Sequence, residues 1–313
     1  MNILVTGGCG YKGHVLVPKL LKKNFNVKVI DIQWFGNYLE KHENLEVIKK
    51  DIRELNINDF DGIDLVIHLA AVANDPCSEL DAKLSWEVGA LSTMRLADFA
   101  SKSGVKQIIY ASSGSVYGIK DEINVTEDLD LDPISKYNKN KMVSERVLLS
   151  YKENMIIQIV RPATVCGLSP RMRLDVAVNL LTMQALNKNE ITVLGGEQTR
   201  PNIHIDDITD IYLFLIDNPQ ITGVYNAGFE NISIMDIASS IKSKINVPIT
   251  IKESNDPRSY RVDSSKLLKA GFKPSKNVAE SINEIISAYK NNKLQDEDRF
   301  YNLRWMQKKV LNN

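Results

Sequence analysis

The first half of the chain alternates short apolar runs with longer amphipathic stretches, and that alternation leaves few folds open. The runs are NILVTG (2–7), VKVIDI (27–32), LEVIKKDI (45–52), DLVIHLAA (64–71), VKQIIYASS (105–113) and MIIQIVRPA (155–163). Their near-continuous Val, Ile and Leu content suits strands covered by helices on both faces. The stretches between them show helical spacing, as in Leu91, Met94, Arg95, Ala97, Asp98 and Phe99, ended by Gly104 just before the fifth run. Six strands connected in this way predict repeated βαβ units, hence an α/β fold with a doubly wound parallel sheet. From about residue 166 the rhythm changes to a helix around 175–187, a strand at 191–194, a helix at 206–217, then mixed short elements and a charged tail. This pattern predicts a large sheet domain from residues 1–165 plus about 199–230. A smaller lobe takes about 166–198 and 231–313.

Charge and composition narrow the class of partner. Thirty-nine basic residues balance thirty-nine acidic ones, so no bulk field draws the chain to nucleic acid or an anionic membrane, and any anion must be held locally. No stretch approaches the roughly 20 apolar residues of a membrane span, and Met1 leads straight into a strand without a basic, then apolar, leader. A cytoplasmic location is expected. Cys9, Cys77 and Cys166 are scattered, without CxxC or HxxH spacing, so neither a disulfide framework nor a metal site is expected.

The segment Thr6-Gly7-Gly8-Cys9-Gly10-Tyr11-Lys12-Gly13 lies between the first strand and a helix that is expected to open near Tyr11 and run through Leu16, Leu20 and Leu21. Glycines there permit a tight turn and close approach of backbone to a pyrophosphate, which the helix N-terminus holds. Asp31 ends the second strand about 20 residues on, where a carboxylate accepts hydrogen bonds from the adenosine ribose and repels a 2′-phosphate. NAD is therefore expected in preference to NADP; Lys12 and Lys28 are nearby cations, but neither follows Asp31 directly. Tyr137 and Lys141 stand four apart, on one face of a helix that Met142, Val143 and Val147 extend. A phenol titrates near 10, and an ammonium together with a nicotinamide cation is expected to lower that far enough for the phenolate to act as base.

The TGGxGxxG spacing resembles the extended short-chain dehydrogenases/reductases, the NAD-dependent nucleotide-sugar epimerase/dehydratase family, and the likeness runs over nearly the whole chain. It implies a Rossmann-type domain in which Gly7, Gly10, Tyr11, Lys12 and Gly13 hold the cofactor, Asp51 and Ile52 touch its adenine, and Leu69, Ala70 and Ala71, after His68, line its cleft. Ala111 to Gly118 (ASSGSVYG) resembles the family's SSxxVYG motif. By that likeness Ser113 hydrogen-bonds the reacting oxygen, Tyr137 is the base and Lys141 orients the cofactor ribose, while Ser112 and Ser115 read as turn or packing hydroxyls. Arg161-Pro162 resembles the family's RP element, with Pro162 facing the nicotinamide carboxamide. Arg200 to Asp207 (RPNIHIDD) resembles RDFIHVDD, whose Arg contacts substrate phosphates. Arg258, five before the Asp of a DxSK-like element, is implied as a second phosphate ligand, and Asn179 as a neighbour of the diphosphate.

Departures from the family pattern sharpen the expectation. Gly114-Ser115 replace the Asp-Glu pair with which the dehydratases eliminate water, so dehydration is not expected. Thr164 stands for the Asn of an RxxN segment, leaving the sugar's pose open; Gly89 replaces a usual Asn, and Lys12 a usual apolar residue. The resemblance thus implies NAD-dependent oxidation of a sugar hydroxyl, at C4, on a nucleotide-diphosphate sugar. Residues 161–181 and DRFYNLRWM (298–306) resemble members that modify bacterial surface-polysaccharide sugars, which favours a GDP-sugar and GDP-heptose 4-dehydrogenase activity. A 4-epimerase that returns the hydride would use the same residues. A non-enzymatic NAD-binding regulator would have no need of Ser113, Tyr137 and Lys141. The family also implies a homodimer through segments 80–103 and 136–152, with Leu84, Trp86, Leu91, Met142 and Val147 as apolar candidates.

Overall fold

The computed structural model describes residues 1–254, 259 and 261–309. All six apolar runs form strands: β1 (Asn2–Thr6), then helix α1 (Gly13–Lys22), β2 (Asn26–Asp31), β3 (Leu45–Lys49) and β4 (Leu65–His68). Between β4 and β5 the chain winds through α2 (Asp75–Leu80), α3 (Ala82–Trp86), a π turn at Glu87–Leu91 and α4 (Ser92–Lys102). Then come β5 (Gln107–Ala111), α5 (Lys136–Leu149) and β6 (Ile156–Pro162). Alternation along each strand builds two cores, one on each face of the sheet. Ile3 and Val5 pack with Leu16, Val17 and Leu20 of α1, whereas Leu4 between them packs with Leu96, Ala97 and Ala100 of α4.

Segment 80–103, which the family resemblance implies as a helix of the subunit interface, is divided into α3, the π turn and α4. The π turn carries Gly89, at which a Cβ would lie 3.0 Å from the side chain of Asn140 on α5. The two helices therefore approach more closely than a larger residue at 89 would allow. At α1 the cap is Lys12, so the helix starts at Gly13, two residues after the expected Tyr11.

Beyond β6 the chain forms β7 (Thr164–Cys166), α6 (Ala177–Lys188), β8 (Ile191–Leu194), β9 (Thr199–His204), α7 (Ile205–Asp217) and β10 (Gly223–Ala227). These are followed by β11 (Glu230–Ser233), α8 (Ile234–Ile245), β12 (Ile249–Lys252), α9 (Ser265–Lys269), α10 (Val278–Lys290) and α11 (Asn302–Lys309). The large sheet has order β3-β2-β1-β4-β5-β6-β10, parallel throughout. Its seventh strand, β10, lies outside the apolar runs; pairing with β6, Val224 opposite Ile159, sets its place. β9 joins β7 and β11 in a three-stranded sheet, and β12 pairs with β8. A third core of Val178, Leu181, Ile191, Ile237 and Ile282 holds this lobe together. Ile208, Ile211 and Leu215 of α7 pack back on the large sheet.

Strand order reverses between β1 and β4, which opens a crevice at their C-terminal ends, the place where ligands bind open α/β sheets. There the two strand ends are tied by Thr6 Oγ1 and His68 Nδ1, 2.7 Å apart. No helix among the described residues is long and apolar enough to cross a membrane.

Candidate active site

The crevice is a cavity of about 510 Å³. Gly7, Gly10, Tyr11, Lys12 and Gly13 form its floor, and Asp31, Asp51 and Ile52 stand at one end. Leu69, Ala70, Ala71 and Pro162 form a side wall that leads to Tyr137 and Lys141. At Gly13 a Cβ would lie 2.2 Å from the carbonyl oxygen of Gly8, so the turn closes only with glycine there. Asp31 Oδ2 accepts from the Cys9 amide at 2.9 Å and Oδ1 from the Gln33 amide at 2.6 Å, which aims the carboxylate across the turn. Burial pushes its pKa up, and those amides together with Arg171 pull it back. His14 also braces the turn: Nδ1 lies 3.0 Å from the Gly10 carbonyl and Nε2 accepts from the Tyr38 amide at 2.9 Å. Burial lowers its pKa to about 4, which keeps the ring neutral as those two bonds require. Asp51, by contrast, gives both oxygens to Arg53, at 2.7–3.0 Å. A glycine cradle with an acid at the end of β2 fits a dinucleotide.

At the other end, Tyr137 sits in the first turn of α5, which Ser135 caps by accepting from the Asn138 amide at 3.2 Å. One turn on, Lys141 donates to the Ala111 carbonyl at 2.7 Å, with its ammonium 5.9 Å from the Tyr137 ring centroid. Ser113 caps the single turn at Gly114–Tyr117, its hydroxyl accepting from the Ser115 amide at 3.2 Å, and it stands behind the cavity wall that Ser112 and Ser115 line. Burial pushes Tyr137 up to about 12; Arg173 is the main force pulling it down, Asp75 opposes and Ser113 assists. Lys141 is not among the groups that shift the phenol here. Its ammonium is spent on a carbonyl, and burial together with the charge of Lys12 brings its own pKa down to about 7, against the pull of Glu145.

The two serines beside Ser113 differ in role. Ser112 donates to buried Glu145, a packing bond. Ser115 shares a hydrogen bond with Ser113 at 2.7 Å, donates to Asn138 and faces the cavity, so it is more than a turn hydroxyl. Behind them Glu145 takes a two-point bond from Arg161, at 3.0 and 2.6 Å, and Arg161 donates to Tyr117 at 2.7 Å. This buried network locks the end of β5 to α5 and β6.

On the side facing the small lobe, Arg200 and Thr164 line the cavity. Arg258 lies outside the described residues. Asn179 is fully buried and does not reach the cavity. Its amide donates to the Tyr11 hydroxyl at 3.1 Å and the Arg173 carbonyl at 2.8 Å, and its oxygen accepts from the Gly167 amide. Contact with a diphosphate is replaced by a link between the glycine turn and the small lobe, because helix α6 turns Asn179 inward.

Two cavity residues carry no signal of their own in the sequence. Arg171 and Arg173 belong to a charged run before α6, and the fold swings that run over the cleft. Arg173 bonds Asp175 at 2.8 Å through Nε, while Arg171 lies 3.9 Å over the Phe35 ring. Apart from this cavity, His204, Asp206 and Glu284 bring possible ligand atoms within 4.8 Å of one another. There His204 Nδ1 accepts from the Asp206 amide and Glu284 pairs with Lys276 at 2.8 Å, so the group is already hydrogen-bonded. The three cysteines are free and buried.

A dinucleotide cradle opening onto a phenol, a hydroxyl and an ammonium is the arrangement of a nicotinamide-dependent oxidoreductase. The chain belongs to the NAD-dependent epimerase/dehydratase family, whose sequence pattern matches residues 3–228. It is an NAD-dependent enzyme of the extended short-chain dehydrogenase/reductase fold. It is similar to an uncharacterised UDP-glucose epimerase, YtcB, of Bacillus subtilis, 30% identical over 85% of this chain and 90% of that one. It is also similar to a UDP-glucose 4-epimerase of Lactobacillus helveticus, 25% identical over 92% of this chain and 95% of the relative. Among solved structures, the UDP-glucuronic acid 4-epimerase of Bacillus cereus, in complex with UDP-glucuronic acid and NAD, superposes with a TM-score of 0.83. That pair is 28% identical and covers 93% of this chain and all of the other.

Proposed function

We propose that the chain oxidises the C4 hydroxyl of the sugar in a nucleotide-diphosphate sugar. The observation that carries this reading is the convergence of Tyr137, Lys141, Arg173 and Arg200 on one cavity continuous with the glycine turn and Asp31. NAD, when bound, supplies the acceptor for the hydride and a positive charge beside the phenol. Tyr137 takes the hydroxyl proton, Ser113 holds the reacting oxygen, and Lys141, fixed by Ala111, orients the ribose. Arg200 binds the diphosphate; a guanidinium supplies the paired donors such a group needs in a protein of zero net charge.

The finer reading is release of the 4-ketosugar by a GDP-heptose 4-dehydrogenase of surface-polysaccharide synthesis. Its support is the likeness of residues 161–181 and 298–306 to such enzymes, and the reduced cofactor would be reoxidised by a separate acceptor. The second reading is a 4-epimerase acting on a UDP-sugar, favoured by the names of the relatives. Dehydration lacks its acid–base pair, since Gly114 and Ser115 follow Ser113. The chain is further proposed to pair with a second copy through segments 80–103 and 136–152. Leu91 and Met94 are exposed there, whereas Leu84 is buried in the chain's own core.

Anaerobic incubation with GDP-heptose and with UDP-sugars, followed at 340 nm and by NMR of the sugar, tests the proposal. A ketosugar with matching NADH supports the dehydrogenase, and an inverted C4 the epimerase. Tyr137→Phe should keep both ligands bound while turnover falls by roughly 10²–10⁴-fold, and Arg200→Ala should raise KM more than it lowers kcat. A Tyr137→Phe enzyme running at the wild-type rate would remove Tyr137 from the chemistry.

A further inference from the structure

The cavity has a wall that the glycine turn and β-strand ends do not supply. Trp34 and Phe35, just after β2, line it beside Asp31, and Asn302 and Met306 of α11 line it with them. Although α11 and the turn before it (Asp298–Phe300) are almost 270 residues away in sequence, both are bonded to this loop. Trp305 donates its indole N–H to the Trp34 carbonyl at 2.6 Å. Arg299 donates to the Tyr38 hydroxyl at 2.5 Å, with its guanidinium 4.8 Å from the Tyr38 ring centroid. Met306 is 2% exposed, in one core with Trp34, Phe35 and Ile52.

The same segment also reaches the opposite rim. Asn302 accepts from Arg171 at 2.5 Å through its side chain, and its amide donates to Asp175 at 3.1 Å. Asp175 in turn accepts from Asn74, which follows β4. Segment 299–306 therefore spans the cleft from the loop after β2 to the run 171–175, over the end that holds Asp31, Asp51 and Ile52.

We propose that segment 299–306 is the fourth wall of the adenosine half of the NAD site, and that the cofactor enters and leaves only when this segment undocks. The inference rests on the reading that Asp31, Asp51 and Ile52 receive the adenosine. Met306 and Phe35 supply the apolar surface an adenine needs, and Asn302 fixes Arg171 beside it. Trp305 does not face the cavity; it acts through Trp34 as a positioning residue.

The test is the rate at which isotope-labelled NAD leaves the preloaded enzyme into an excess of unlabelled NAD, measured for wild type, Trp305→Phe and Trp305→Ala. Trp305→Ala should release NAD at least tenfold faster. Trp305→Phe, which keeps a ring but not the N–H donor, should fall between. Nucleotide-sugar affinity at saturating NAD should change less than threefold. Release from Trp305→Ala within twofold of wild type would overturn the proposal. So would equal weakening of NAD and nucleotide-sugar together with a lower melting temperature, the signature of a merely structural role. Failure of the underlying site reading would look different: Asp31→Asn in the intact chain would leave NAD affinity unchanged.

Discussion

Removing Glu145 should be among the most damaging single changes in the chain, although its carboxylate does not face the cavity. Glu145 and Arg161 have side chains 3% and 5% exposed and meet in a two-point ion pair. Glu145→Ala leaves a buried guanidinium with Tyr117 as its one remaining hydrogen-bond partner among the described residues, and the Ser112 hydroxyl without its acceptor. Breaking one side of a buried pair costs about 3–5 kcal/mol. At about 2 °C per kcal/mol for a large domain, the melting temperature should fall by roughly 6–10 °C. Ser112 adjoins Ser113, so kcat should fall as well. Replacing both partners by apolar residues, Glu145→Leu with Arg161→Met, removes the orphaned charge and should recover most of the loss, because the pair's desolvation cost disappears with it. Calorimetry and guanidinium unfolding of the two single variants and the double variant measure the coupling. A single-variant cost below about 1 kcal/mol, or a double variant whose loss is the sum of the singles, would refute the argument.

The phenol and the second-strand acid yield two further expectations. Tyr137 is held protonated by burial, its pKa raised to about 12, so sugar oxidation should speed up as pH rises through the range below that value. Arg173→Met removes the main force pulling the phenol down and should cut the rate at pH 8 by roughly 3–10-fold, whereas Arg173→Lys keeps the charge and most of the rate. Superimposable pH profiles of kcat/KM for wild type and Arg173→Met would contradict this. Asp31→Asn should narrow the preference for NAD over NADP, because it removes the charge that repels a 2′-phosphate; calorimetric titration with both cofactors reads the change, and an unaltered ratio would count against it.

The parts of the site that depend on local sequence were legible before the fold was known. Strands need only a few apolar residues in a row, a glycine turn declares itself by composition, and Tyr137 and Lys141 share a helix face because four residues make about one turn. Other features depend on what a residue meets across the molecule. Asn179 looks like a ligand-facing residue at the start of α6, yet Tyr11 and Gly167 take up its amide. Strand β10 has no apolar run of its own and exists because β6 offers it an open edge. The π turn at Glu87–Leu91 carries Gly89 at the point where α5 comes closest, a contact visible only in three dimensions.

Sequence alone determined the βαβ order, the glycine turn with its acid at Asp31, and the spacing of Tyr137 and Lys141, because each arises from periodicity within a few residues of chain. Only the tertiary structure decided the charge environment of the phenol and the closure of the cleft. Arg173 acts on Tyr137 from 36 positions away, and Met306 and Asn302 share a cavity with Trp34. Electrostatic shifts and cavity walls depend on distance through space, which no pattern along the chain encodes.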